Sequence, residues 1–421
     1  MQDEKFYKHI FKNQITYLCE KVDFVRSATI GVWIRGGSIY EEKKNQGISH
    51  FIEHILFKGT KTRSARDISA TIEGVGGELN AWTGKEYTVF YVKLPSEHLE
   101  IAIELLSDII YNSLFSQSDI EMEKQVILEE IRRYEDAPDD EVHDLLLECA
   151  FGNHPLGRPI LGKKEIVSAM DRKEIMNFYK THYIPRETTI SIAGNIDKKE
   201  GERLVFNYFS KNSGCEFKKT IPPPTILGRT INKEKDTEQV HFCMGTKGLP
   251  VADSERFVIA LLNTILGGGM SSRLFHEIRE KKGLCYAIYS YPSPFRDCGL
   301  LTVYCGCGPE NYHKTAELIL HEFKKMKNDL VDEKELKKAK EQLKGGLIMS
   351  LENTASRMER LFRQEAYFGR FFTTDEIMEQ IEAPTPKNIC DMANKIFSSD
   401  YISSAIIGPI SKDSIFDEYI C

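Results

Sequence analysis

The sequence contains no apolar run near the roughly 18 residues that a membrane-crossing helix needs. Its opening, MQDEKFYKHIFKNQ, alternates in charge; it has neither the apolar stretch of a secretory signal nor the Arg- and Ser-rich, acid-poor character of a transit peptide. A basic excess is missing as well. Lys and Arg number 56 against 63 Asp and Glu, a formal charge of −7, which excludes a broad phosphate-binding face and with it a nucleic-acid partner. The ten cysteines (Cys19, Cys149, Cys215, Cys243, Cys285, Cys298, Cys305, Cys307, Cys390 and Cys421) show no disulfide-framework spacing and read as reduced thiols. Only Cys305-Gly306-Cys307 is close-set, and in a strand these two thiols share a face, as small packed residues do. Gly267-Gly268-Gly269 lacks the lysine and spacing of a phosphate loop. What remains is a soluble cytoplasmic chain with no membrane partner, and the missing presequence and compact length suggest a bacterial origin.

The hydrophobic content of 41% is enough for packed cores rather than disorder, and 421 residues suffice for two to four domains. The one proline run, Pro222-Pro223-Pro224, favours an extended connector because it cannot donate ladder or helix hydrogen bonds. It suggests an N-terminal domain over 1–212, a connector over 213–235 and a C-terminal domain over 236–421. Periodicity predicts strands at 14–20, 28–35, 88–94 and 188–193, with helices at 47–57, 96–111, 119–134, 141–150 and 173–182. In the second half it predicts strands at 240–245, 287–291, 300–305 and 401–407, with helices at 255–266, 311–327, 333–349 and 386–397. The two orders resemble each other, and Ile55-Leu56 and Ile265-Leu266 mark an offset of 210. The expected fold class is α+β, with two homologous α/β sandwich domains from an internal duplication. Each would carry a mixed, largely antiparallel sheet with helices on one face.

Within GISHFIEHILFKGT, Ile48, Phe51, Ile52, Ile55 and Leu56 make an apolar helix face. His50 and His54 then project side by side one turn apart, where two imidazoles can grip one cation, and Glu53 lies on the same side. This is H-x-x-E-H. In a chain of this composition the chance expectation of His-x-x-acid-His is about 0.04 occurrences, so the pattern is not a compositional accident. A catalytic zinc needs a third protein ligand. The acidic helix IEMEKQVILEEIRRYE offers Glu123, Glu129 and Glu130 opposite an apolar stripe of Val126, Ile127, Leu128 and Ile131. Read alone it is a solvated acidic face, and spacing does not choose Glu129 over Glu130.

HFIEH, with GGELNAWTGKEYT downstream and EKQVILEEI beyond it, resembles the pitrilysin and mitochondrial-processing-peptidase family of inverzincins, across nearly the whole chain. In that family the third zinc ligand is a glutamate 76 residues after the second histidine, which falls on Glu130, and a supporting acid seven residues earlier falls on Glu123. The resemblance implies one Zn2+ per chain, held by His50, His54 and Glu130, with Glu53 as general base. SSRLFHEIREKKGLCYAIYS resembles the segment carrying an arginine and a tyrosine that reach the active site, here Arg279 and Tyr286. Without the resemblance, Arg279 is one charge among several ending a helix, and Tyr286 a core strand tyrosine. Asn80, Ala81 and Trp82 fall in the strand that pairs with extended substrate in the family; the bland reading is an ordinary strand after a diglycine turn.

The function implied is a zinc metalloendopeptidase acting on short or unfolded peptides inside an enclosed chamber, in a clamshell arrangement of the two domains. A presequence-processing peptidase and a non-catalytic assembly subunit of the same fold are the rivals. The intact motif and its distant glutamate favour the enzyme. Because one chain carries both the zinc motif and the Arg/Tyr pair, a homodimer is expected, with a heterodimer with a paralogue as the alternative.

Overall fold

The computed structural model describes residues 6–210 and 220–410. Outside the described residues lie 213–219 of the expected connector, the extreme ends of both expected domains, Cys215 and Cys421. Residues 220–229, including the proline run, form neither helix nor strand. No helix among the described residues is long and apolar enough to cross a membrane.

The chain divides into two compact units, each assembled from three stretches. Unit 1 takes Met1–Arg132, Pro159–Ile221 and Met349–Phe371; unit 2 takes Arg133–Arg158, Pro222–Ile348 and Phe372–Cys421. Unit 1 holds strands β1 (Phe6–Ile10), β2 (Thr16–Lys21), β3 (Ser27–Ile34), β4 (Glu78–Thr83), β5 (Thr88–Pro95) and β6 (Thr188–Gly194), in the order β1-β2-β6-β3-β5-β4. All neighbours are antiparallel except β2 and β6. The central strand β3, SATIGVWI, is buried along almost its whole length because both faces of the sheet are covered. The helices Leu99–Asn112 and Ile48–Leu56 lie against it from one side. The helix Thr354–Phe368, contributed by the second half of the sequence, covers the other. There Leu18, Trp33 and Val89 meet Met358, Leu361 and Phe362, and the Trp33 and Phe362 rings stack at 3.9 Å.

This helix comes so close to the sheet that β3 has a glycine beneath it. A Cβ on Gly31 would lie 2.4 Å from Met358 Sδ and 2.9 Å from Trp33 Nε1. Gly31→Ala is therefore expected to lower stability by about 1–3 kcal/mol through overpacking, as read by denaturant unfolding.

Unit 2 repeats the design. Its strands β7 (Thr230–Glu234), β8 (Val240–Lys247), β9 (Cys285–Pro294), β10 (Gly299–Cys307) and β11 (Ser403–Gly408) run in the order β7-β11-β8-β10-β9, with only β7 and β11 parallel. This is the order β2-β6-β3-β5-β4 of unit 1 with the same parallel pair, as expected for two α+β sandwiches from a duplication. One face is covered by Arg256–Leu266, Tyr312–Asn328 and Pro386–Ile396, whose buried residues join one core with Cys305 and Cys307, so both thiols of the close-set pair are packed side chains. The helix Pro138–Phe151, from the first half of the sequence, covers the other face through Val142 and Leu146. Each sheet thus carries helices on both faces rather than on the one expected, the second face being covered by a helix from the other half of the sequence. Gly245 again makes room, since a Cβ there would lie 3.0 Å from Leu146 Cδ2.

Candidate metal centre

The helix Ile48–Leu56 buries Ile48, Phe51, Ile52, Ile55 and Leu56, the expected apolar face. Its N-cap, Gly47, has a left-handed backbone (φ 91°) and gives the helix no side-chain cap. The cap comes from six residues upstream. The fully buried Glu41 carboxylate accepts hydrogen bonds from Gly47 N–H and Ser49 N–H, both at 2.9 Å. Burial pushes the Glu41 carboxyl up to about 7, against the pull of those bonds, of the Ser49 hydroxyl and of the Lys85 charge.

A carboxyl whose pKa is raised on folding adds stability that is complete below its unfolded value near 4.5 and is lost as pH rises through 7. Glu41→Gln should therefore remove a component on the order of 3 kcal/mol from the pH dependence of unfolding between those limits. Denaturant titration of both proteins without metal at pH 4.5 and 7.5 measures it; equal slopes with pH would contradict the burial argument.

On the helix, the His50 and His54 rings stand 4.5 Å apart. The second helix, Gln117–Glu135, brings Glu130 to them. Its Oε2 lies 3.7 Å from His50 Nε2 and 3.6 Å from His54 Nε2. Ligands about 2.0–2.1 Å from a zinc ion at tetrahedral angles lie roughly 3.4 Å apart, so Glu130 stands within a few tenths of an ångström of the separation that a shared ion would set from each histidine. His50, His54 and Glu130 form a group whose ligand atoms all lie within 4.8 Å of one another. Glu129, which spacing left open, is exposed and pairs with Arg132.

The buried stripe of that helix is Ile120, Glu123, Lys124, Ile127 and Ile131. Val126, expected in the stripe, is instead 45% exposed. Glu123 takes the inward position because it has partners there: Oε2 accepts from His54 Nδ1–H at 3.1 Å and Oε1 pairs with Lys58 Nζ at 2.6 Å. Burial opposes the charge on Glu123, but His54 and Lys58 outweigh it and hold the carboxyl below its ordinary range. The ionised Glu123 thus fixes the His54 tautomer with the proton on Nδ1, leaving Nε2 as a donor atom for a cation. His50 is pushed down to about 3 by burial and then by His54, so it is neutral at physiological pH, as a metal ligand must be.

Glu53 lines the same cleft as His54, Phe57, Asn80, Ala81 and Glu123, a space of about 660 Å3. Burial raises its pKa, with Glu130 adding to the rise, while the Thr83 hydroxyl and His54 pull it back. Alternation along β4 puts Leu79, Ala81 and Thr83 on the side of the motif helix. Trp82 is on the other side, 41% exposed and edge-on to Trp33 at 5.7 Å. Among the described residues β4 is the outermost strand of its sheet, paired only with β5. In unit 2, Arg279 sits in the π-helical stretch Phe275–Glu280 with its guanidinium over the rings of Phe275 at 4.8 Å and Tyr286 at 5.3 Å. Tyr286 is the second residue of β9 and is 75% exposed, so it is not a core tyrosine. Sequence reasoning missed Glu41, Lys58 and Thr83. A capping acid six residues before a glycine-led helix is the signal that could have found the first; the other two carry no local signal.

Residues 17–164 match the family described as Insulinase (Peptidase family M16), and residues 169–343 match that described as Peptidase M16 inactive domain. A Bacillus subtilis (strain 168) protein named "Uncharacterized zinc protease YmxG" is 40% identical over 405 residues, covering 96% of this chain and 98% of the relative. A Streptomyces coelicolor protein, "Uncharacterized zinc protease SCO5738", is 39% identical and covers 93% of this chain and 87% of its own length. The crystal structure of a protease from Helicobacter pylori superposes with a TM-score of 0.90 at 21% identity, covering 96% of this chain and 99% of that one, a likeness of fold. On its matched domains and on full-length identity to named relatives, the chain belongs to peptidase family M16.

Proposed function

We propose that this chain is a zinc-dependent metalloendopeptidase that hydrolyses short or unfolded peptides, with one zinc per chain. The observation that carries the reading is the approach of Glu130 Oε2 to His50 Nε2 and His54 Nε2, with Glu53 lining the cleft that His54 also lines. The names of its relatives agree with it. Bound zinc would lower the pKa of its water from 15.7 to about 7. The chain's own residues do the rest. Glu53 takes the proton of the attacking water and delivers it to the leaving nitrogen; its raised pKa keeps it a good enough acid–base partner for both transfers. Glu123 and Lys58 hold His54 in place. Asn80, Ala81 and Trp82 offer the backbone of an outermost strand to an extended peptide, which gives affinity with little side-chain preference. The exposed Tyr286 hydroxyl would donate to the developing oxyanion and Arg279 would bind a substrate carbonyl or carboxylate, in the same chain or from a partner copy. A homodimer and a cytoplasmic location complete the reading.

A quenched-peptide library assayed with and without chelator, beside metal analysis, tests it. Cleavage that stops with chelator and returns with zinc is expected, with unfolded proteins cut and compact ones spared. Stoichiometric zinc without any cleavage would favour the non-catalytic assembly role.

A further inference from the structure

The general base is held by a residue that the substrate strand itself supplies. Thr83 Oγ1 donates a hydrogen bond to Glu53 Oε2 at 2.5 Å. Thr83 is the last residue of β4 and lies directly opposite Thr88 of β5, with the two hydroxyl oxygens 3.3 Å apart. Thr88 is fully buried. A threonine hydroxyl has one proton to give and lone pairs to receive. With Thr88 giving its proton to Thr83 and Thr83 giving its own to Glu53, the relay is directional. It ties Oε2 and leaves Oε1 as the oxygen free to move a proton. Both threonines are β-branched residues in paired strands, so their χ1 angles have little freedom and the tether is stiff.

We propose that Thr83 is a positioning residue for Glu53, and that through it the outermost strand β4 sets the orientation of the base when an extended peptide pairs with that strand. The inference rests on the assignment of Glu53 as general base. An added strand would order β4 along its length, and the end of β4 is where the tether to Glu53 begins. Peptide length along β4 and proton transfer at Glu53 are then coupled, although the paired part of the peptide is remote from the bond being cut.

Thr83→Val keeps the branched shape and removes only the hydroxyl; Thr83→Ser keeps the hydroxyl. Thr83→Val is expected to lower kcat about 10–100-fold with KM within about twofold and with zinc content unchanged, and Thr83→Ser to stay near wild type. Lengthening a peptide from one too short to span β4 to one that spans it should raise kcat in wild type and fail to do so in Thr83→Val. Should the valine variant not fold, Thr83→Ala carries the same comparison. Wild-type kcat in the hydroxyl-less variant, an equal loss in Thr83→Ser, or zinc lost together with activity would each overturn the inference. Full activity of Glu53→Gln, or cleavage indifferent to chelator, would instead strike the assignment beneath it and remove both.

Discussion

Glu53→Gln should leave a protein that binds one zinc per chain and cleaves peptides about 10²–10⁴-fold more slowly. Glutamine keeps the length and shape of the side chain, and its amide oxygen still accepts the proton of Thr83, so the cleft around it need not rearrange. The amide cannot take a proton from water at any ordinary pH. Since His50, His54 and Glu130 are untouched, metal content should stay at the wild-type level. The two measurements belong together: metal analysis by mass spectrometry and turnover of a quenched peptide on the same preparation. Retained zinc with lost turnover separates the base from the ligands, and full turnover would end the mechanism.

Glu130→Ala should do the opposite. Two imidazoles one helical turn apart remain, without the carboxylate whose oxygen stands 3.6–3.7 Å from both. Zinc should fall well below one per chain after dialysis, and turnover with it. A ligand that binds only the folded state stabilises by RT ln(1 + [L]/Kd), so added zinc should raise the melting temperature of wild type and hardly move that of the variant. Glu129→Ala is the control. Its carboxylate is 69% exposed and pairs with Arg132, so zinc content and turnover should match wild type. Stoichiometric zinc in Glu130→Ala would mean that the third ligand lies elsewhere.

The parts of this site that could be read from the chain are those where chemistry and spacing fall within one helix. His50, Glu53 and His54 occupy one face by the 3.6-residue period alone, and the buried side of that helix is unambiguous. Glu130 is different. It comes from a separate helix, and only family spacing separated it from its neighbour Glu129, because a helix in isolation gives no account of which way it faces. Glu123 shows why: a stripe built from apolar residues would pass over it in favour of Val126, yet His54 and Lys58 make burial of the acid affordable. Thr83 and Glu41 act across element boundaries and leave no periodic trace. Strand and helix positions followed the pattern closely in most of both halves, and the strand order of the two sheets accounts for the repeat. The helix Thr354–Phe368 was not expected, although Met358, Leu361 and Phe362 at helical spacing mark it. What no pattern carries is its destination, the sheet of the first half, since that pairing depends on contacts more than 300 residues apart, such as Trp33 with Phe362.

That destination has a consequence for how the protein is made. The last strand of the first sheet, β6, ends at Gly194, and the helix that covers Trp33 and Val89 begins at Thr354, about 160 residues later. At about 5–20 residues per second, a ribosome takes roughly 8–30 seconds to deliver it. Throughout that interval the nascent sheet has one apolar face bare, a natural client for a holding chaperone. The first sheet to be synthesised is thus completed only after four of the five strands of the second have been made.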